Sequence, residues 1–249
     1  MRNSFYRLMV EVFEGIVLRT LRYSDSLMLA DVYTLQKGRM SLLVPVTHSK
    51  RGRVRNVLFQ PLAMLSLTVS YKQSRQLQRV TAVQPYRMYS SIPFNVVKSA
   101  IALYLSEVLV YALREEERND ALFMFLNRSF LLFDELGKGY ADFHIVFLSQ
   151  LLHHLGIYPN IDDYAEGCYF DLVQGCTLKA APLHANFLKP QDAGYFVSLM
   201  RVEYETMHLL SLNRELRGCY LAILNLYYRL HVPDFPQIKS MEILKELFD

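Results

Sequence analysis

The sequence predicts an α+β chain with two modules: a small five-stranded β-barrel at the N-terminus and an α-helical bundle after it. Three observations carry this. The spacing of apolar residues changes near residue 90, from short runs bounded by turn residues to a helical period. The charge divides at the same place: up to Arg87 there are 14 Lys and Arg against four acids, and the remainder holds 13 basic and 20 acidic residues. The 249 residues are 52% hydrophobic, enough for a core in each part.

Five runs make up the first part: EVFEGIVLR (11–19), SLMLADVYTL (26–35), RMSLLVPV (39–46), LAMLSLTVSY (62–71) and QLQRVTAVQPY (76–86). Each is short, rich in Val, Leu or Tyr, and bounded by Gly, Ser, Asp or a basic loop, as antiparallel strands are. Five strands in about 80 residues suit a small closed barrel, and the OB-fold is the common nucleic-acid-binding version. An SH3-like barrel is the competing topology.

From Ser91 the period changes. Phe94–Arg114 places Val97, Ile101, Leu105, Val108 and Ala112 on one helical face behind Pro93. Further helices are expected at 120–136, 141–155, 190–200, 204–212, 214–230 and 240–247, separated by glycines and prolines. Residues 158–182 (YPNIDDYAEGCYFDLVQGCTLKAAP) lack that period and form an irregular insert with room for a short hairpin. The expected modules are residues 1–88, a DNA-binding barrel, and 89–249, the helical part.

The basic excess of the barrel points to a polyanion. Its densest part is HSKRGRVRN (48–56), where Lys50, Arg51, Arg53 and Arg55 fall in a loop between strands. Phosphate contacts do not demand fixed geometry, so such a loop adds affinity. Taken alone it also reads as a solvated charge run. Lys37 and Arg39 in the preceding turn, and Lys72, Arg75 and Arg79 around the last hairpin, are the other candidates to line one face. Phe13, Tyr23, Tyr33 and Tyr71 are interleaved with this charge, and outward-facing ones would stack bases, although most such residues belong to cores.

No nucleophile elbow, phosphate-binding glycine loop or two-histidine metal helix is present. The run Glu115–Glu117 and the pair Asp162–Asp163 read as solvated charge, so a binding role is the default and no enzyme activity is expected. Cys168 and Cys176, with His184, have the wrong spacing for a zinc knuckle; neither metal nor other cofactor is expected. Three cysteines are not a secreted disulfide framework, no signal peptide or membrane span is read, and the expected location is the cytoplasm, at the nucleoid.

Several stretches together resemble the RecO family of bacterial recombination mediators. EGIVLRTLRYSDSLMLADVYTLQKGRMSLLV (14–44) resembles the family's opening strands and turn, THSKRGRVRN (47–56) its basic loop, and LFQPLAMLSLTVSY (58–71) its Leu-x-Pro strand entry. FLSQLLHHLGIYPNIDD (147–163) and YYRLHVPDFPQIKSMEIL (227–244) resemble its later segments. Many relatives follow the Leu-Gly-x-x-Pro stretch with four zinc-binding cysteines; only Cys168 and Cys176 stand here, which implies a zinc-free branch. The resemblance implies a mediator of the RecF pathway that binds single- and double-stranded DNA and anneals complementary strands. It also implies that the chain engages the C-terminal tail of single-stranded DNA-binding protein and works with RecR to load RecA. The tail would need an apolar groove with a basic rim, for which Arg128, Arg201 and Arg217 are candidates on the helical part. A protein-binding adaptor with a basic barrel is the alternative.

Overall fold

The computed structural model describes residues 9–46, 54, 56–210 and 212–247. The chain divides into two compact units, Met1–Glu135 and Leu136–Asp249. The change from strands to helices falls earlier, so the first unit holds the barrel and the two helices that follow it.

The barrel is built from β1 (Met9–Arg22), β2 (Leu27–Thr34), β3 (Gly38–Pro45), β4 (Met64–Tyr71) and β5 (Leu77–Pro85). It closes in the order β1-β2-β3-β5-β4, with every neighbour antiparallel except β3 and β5, which run parallel from Ser41↔Leu77 to Leu43↔Arg79. A simple meander would pair β3 with β4. Here β4 returns to β1 and β5 closes on β3, the Greek-key arrangement of an OB-like barrel. Strand β1 serves two partners: Met9–Ile16 pair with β4, and Gly15–Arg22 pair with β2. Gly15 sits where the two ladders overlap; a Cβ there would lie 2.4 Å from Val32 Cγ1, so only glycine lets the strand bend against β2.

Alternation explains the core. Along β3 buried and half-buried positions alternate strictly, and Leu42 and Val44 point inward with Phe13, Val17, Ala30, Val32, Leu65, Leu67, Val69 and Val80. Val54 joins this core.

Helix α1 (Val96–Ala112) starts two residues after the expected point. Pro93 belongs to a single 3-10 turn, Ile92–Phe94, and Asn95 in extended conformation caps α1 by accepting the Lys98 N–H at 3.1 Å. The helix ends at Ala112 rather than Arg114, because Leu113 has left helical geometry. Helix α2 (Asp120–Glu135) follows, with the Asn119 side chain accepting the Leu122 N–H at 3.0 Å. Asp134 near its end accepts the N–H groups of Ser90, Ser91 and Ile92 at 2.7 to 2.8 Å, and the buried Lys98 ammonium donates to Ser91 Oγ and the Asp134 carbonyl. Burial pushes the Asp134 carboxyl up, but these N–H donors outweigh it and hold the group below its usual range. Burial lowers the Lys98 ammonium.

The second unit contains α3 (Phe143–His154), a sheet of β6 (Tyr169–Asp171), β7 (Cys176–Leu178) and β8 (Phe187–Leu188), then α4 (Pro190–Met200), α5 (Arg214–His231) and α6 (Ser240–Leu247). The insert holds the short antiparallel hairpin of β6 and β7, and β8, beyond the insert, adds a third strand in the order β7-β6-β8. Buried Asp171 organises it: Oδ1 accepts the Val173 and Gln174 N–H groups at 2.8 and 3.0 Å, and Oδ2 lies 3.2 Å from His184 Nε2. The helix expected over 204–212 is replaced, among the described residues, by turns and one 3-10 turn, Met207–Leu209. The Thr206 hydroxyl exchanges hydrogen bonds with the N–H and C=O of Glu203, a local pairing that competes with helical bonding.

Candidate nucleic-acid interface

Lys37 stands at the tip of the turn between β2 and β3. Thr34 shapes that turn: its hydroxyl donates to the Gly38 carbonyl at 2.9 Å and accepts the Lys37 N–H at 3.2 Å. Lys72 and Arg75 lie on the β4–β5 hairpin. Gln78, an inward residue of β5 only 4% exposed, fastens that hairpin. Its Oε1 accepts the Lys72 N–H and its Nε2 donates to the Lys72 carbonyl, both at 2.9 Å, with a second bond to the Arg75 carbonyl.

The two projections flank one groove of about 500 Å³, whose lining includes Lys37, Arg39, Ser41, Tyr71, Arg75, Gln76 and Glu116. The Lys37 ammonium is 5.4 Å from the centre of the Tyr71 ring, in cation–π range. Tyr71 in turn rests on core Phe13, with ring centres 5.8 Å apart. The groove therefore offers exposed cations, an anchored aromatic and neutral amides, a set suited to a flexible polyanion that carries flat bases.

Arg39 has a different setting. It is 18% exposed at the side chain and donates to Asp31 Oδ2 (2.9 Å), the Val110 carbonyl (2.7 Å) and the Leu113 carbonyl (3.2 Å). Asp31, buried on the outer face of β2, also accepts from Arg19 Nε (2.7 Å) and Ser41 Oγ (2.6 Å). Burial raises the Asp31 carboxyl, and the bonds from Ser41, Arg19 and Arg39 more than reverse this, keeping it below its ordinary value. Arg39 thus forms the floor of the groove and ties the end of α1 to the barrel. The β2 face, where OB-folds often take ligands, is partly closed by that segment.

Arg79 is exposed on the outside of β5, opposite Leu43 and Ser70, beyond the lining of the groove. Lys50, Arg51, Arg53 and Arg55 lie outside the described residues. Of the aromatics, Phe13 and Tyr33 are core; burial and then Glu115 push the Tyr33 hydroxyl up to about 12. Tyr23 is exposed and Tyr71 lines the groove.

A second groove in the first unit, about 580 Å³, is apolar. Val57, Pro61, Met64, Met88, Ile92 and Phe94 line it with Arg87, and Met88 and Phe94 are 79% and 82% exposed. In the second unit Arg217 is engaged with Asp142 at 2.7 Å, Arg201 reaches the Ile161 carbonyl at 3.5 Å, and in the first unit Arg128 is exposed on α2. Among the described residues no cluster of three or more His, Cys, Asp or Glu side chains could hold a metal ion, and no helix is long and apolar enough to cross a membrane.

Of the cations named from the sequence, Lys37, Arg39 and Arg75 line the groove, and Gln78, Asp31 and Glu116 were not named as part of the site. A polar residue at an inward strand position, between Leu77 and Arg79, is a readable signal for Gln78. Glu116 carries none, because its place against the groove depends on how the chain leaves α1.

Comparison with known proteins agrees with this architecture. The family models "Recombination protein O N terminal" and "Recombination protein O C terminal" match residues 9–89 and 93–242. A protein of Bacteroides fragilis described as DNA repair protein RecO is 46% identical over 242 residues, 97% of this chain and 100% of its own length. Proteins of the same description from Phocaeicola vulgatus and Porphyromonas gingivalis are 44% and 32% identical, covering 96% and 97% of this chain and all of theirs. With both halves matched in order and relatives of 32% to 46% identity covered over their whole length, the chain belongs to the RecO family.

Proposed function

We propose that this protein is a DNA repair and recombination mediator that binds single-stranded DNA in the groove between the β2–β3 turn and the β4–β5 hairpin. The observation that carries the reading is the convergence of Lys37, Arg75 and Tyr71 on one groove: phosphates meet two cations while a base meets an anchored ring. In this reading residues 1–88 are the DNA-binding module. Lys72, Arg79 and the loop cations Lys50, Arg51, Arg53 and Arg55 extend the phosphate path, and Arg39 contributes by holding the floor. The protein acts by binding, without a catalytic centre, in the cytoplasm at the nucleoid.

We read annealing of complementary strands, contact with double-stranded DNA, cooperation with RecR and loading of RecA onto strands covered by single-stranded DNA-binding protein as further parts of this role, a reading that membership of the RecO family supports. We place the acidic, apolar tail of that protein in the second groove. Exposed Met88 and Phe94 supply apolar contact there and Arg87 supplies the cation, whereas Arg217 is already spent on Asp142.

The test is a fluorescence-anisotropy titration of labelled single-stranded oligonucleotide at several salt concentrations. Wild type is expected to bind with a steep salt dependence, and the Lys37→Ala/Arg75→Ala variant to bind weakly with a shallower slope. A variant that binds as wild type does would remove the groove from the mechanism, and no binding by wild type would favour the adaptor reading.

A further inference from the structure

Phe13, read from the sequence as a base-stacking candidate, is 1% exposed in the barrel core and cannot itself meet a base. Its place gives it another use. Phe13 lies on the half of β1 that pairs with β4, opposite Leu67, and Tyr71 stands opposite Met9, four residues back along β1. Residues two and four apart on a strand share a face, and so do cross-strand partners, so Phe13 and Tyr71 project to the same inner side of the barrel wall. Their ring centres are 5.8 Å apart with planes at 53°. Tyr71 thus packs half-buried against the core and also lines the groove, where the Lys37 ammonium sits 5.4 Å over its ring.

We infer that Phe13 is a positioning residue for nucleic-acid binding. From within the core it sets the plane of the Tyr71 ring, and the groove thereby favours a polyanion that carries unstacked bases over the same backbone without them. This rests on the groove reading above and deepens it. A tyrosine side chain that must be ordered when a base stacks on it loses rotational freedom on binding, which weakens the complex. A tilted aromatic partner at this separation fixes the ring before the ligand arrives. Lys37 and Arg75 meet phosphates, which are the same whatever base they carry, whereas the Tyr71 ring meets the base. The two contributions are therefore separable, and Phe13 belongs to the second. Leucine at position 13 keeps the core apolar but offers Tyr71 no ring to hold it.

The experiment compares full-length wild type with Phe13→Leu, the milder Phe13→Met, Tyr71→Ala and the Phe13→Leu/Tyr71→Ala double variant. Val32→Ala, which opens a cavity elsewhere in the same core, is the control for lost stability. Each is titrated with a labelled single-stranded oligonucleotide and with a strand of equal length whose central nucleotides are abasic. Wild type is expected to prefer the base-bearing strand about tenfold, and both Phe13 variants to prefer it about twofold. Val32→Ala should keep the wild-type preference, and Phe13→Leu should add nothing to Tyr71→Ala. The dependence of affinity on salt should be unchanged in the Phe13 variants, since no phosphate contact is removed. Phe13 variants that keep the tenfold preference, equal weakening toward both strands, or the same loss of preference in Val32→Ala would overturn the inference and leave the groove reading intact. A wild type that binds both strands equally would show that Tyr71 does not stack, and the stacking part of the groove reading would fall with the inference.

Discussion

The Gln78 side chain grips both backbone groups of Lys72, accepting its N–H and donating to its carbonyl at 2.9 Å each. A buried residue thus fixes the hairpin carrying Lys72 and Arg75. Replacing Gln78 by Leu makes the inward position apolar and removes the Gln78 bonds from the Lys72 N–H and carbonyl, the carbonyl keeping the Arg75 N–H at 2.9 Å, at about 1–3 kcal/mol. DNA affinity is expected to fall about tenfold while far-UV circular dichroism is retained. Undiminished affinity in a folded Gln78→Leu protein would show that the hairpin's shape does not matter for binding.

Lys37 and Arg75 should each account for part of the salt dependence. Removing both is expected to reduce the slope of log affinity against log salt by about 1.4, or about 0.7 for each phosphate contact on a single strand. An Arg39→Ala variant should behave differently: it strips a buried carboxylate of one partner, so its chief effect is a loss of about 2–3 kcal/mol in urea unfolding. Equal effects of Arg39 and Lys37 on both measurements would contradict this separation of roles.

Acid should act through Asp31 and Asp134. Both carboxyls are held below their unfolded values, so their contribution to stability is fully present above the unfolded pKa of about 4 and is lost as pH falls through the lower folded values. Thermal melts from pH 6 to pH 2 should therefore show a falling Tm that flattens in Asp31→Asn, which has no proton to take up there. An identical acid limb in the variant would rule out Asp31 as a contributor.

The turn at Gly38 should tolerate no side chain. Gly38→Ala combines a positive φ with a Cβ driven into the Glu115 and Glu117 carbonyls, and is expected to cost about 2–3 kcal/mol, read as a lowered Tm. A Tm within about a degree of wild type would mean the acidic segment is free to move away.

In the insert, Asp171 fastens the turn after β6 and meets His184. Asp171→Ala is expected to destabilise the protein by about 2–3 kcal/mol, whereas incubation with a chelator should leave the Tm unchanged. A chelator-sensitive melt would reveal a metal role for the second unit.

The barrel was legible because its signals are local and periodic. Leu42, Val44 and their neighbours alternate along β3, and the basic excess of the first 87 residues sets this part apart from the acidic remainder. The helices fall where they were expected, with ends displaced by one or two residues, except over 204–212, where the Thr206 hydroxyl competes with helical bonding. Choosing between OB-like and SH3-like closure was beyond pattern, since the pairing of Ser41 with Leu77 joins residues far apart in sequence. The roles of individual cations were illegible for the same reason: Lys37 and Arg39 are two positions apart, yet one faces the groove and the other is drawn inward by Asp31.

Strand β1 has a consequence for how the protein comes to be folded. Its second half finds β2 within a few residues, but Met9–Ile16 must wait for Met64–Tyr71, and the parallel closure of β3 on β5 comes later still. Loop closure costs entropy before these distant pairings offset it, so completion of the barrel is expected to be the slow step of folding, which stopped-flow refolding would read. During synthesis on the ribosome the leading half of β1, with Met9, Val10 and Val12, is an unpaired edge until some 60 further residues have emerged. Nascent chains stalled before residue 64 should accordingly be the most aggregation-prone form of this protein.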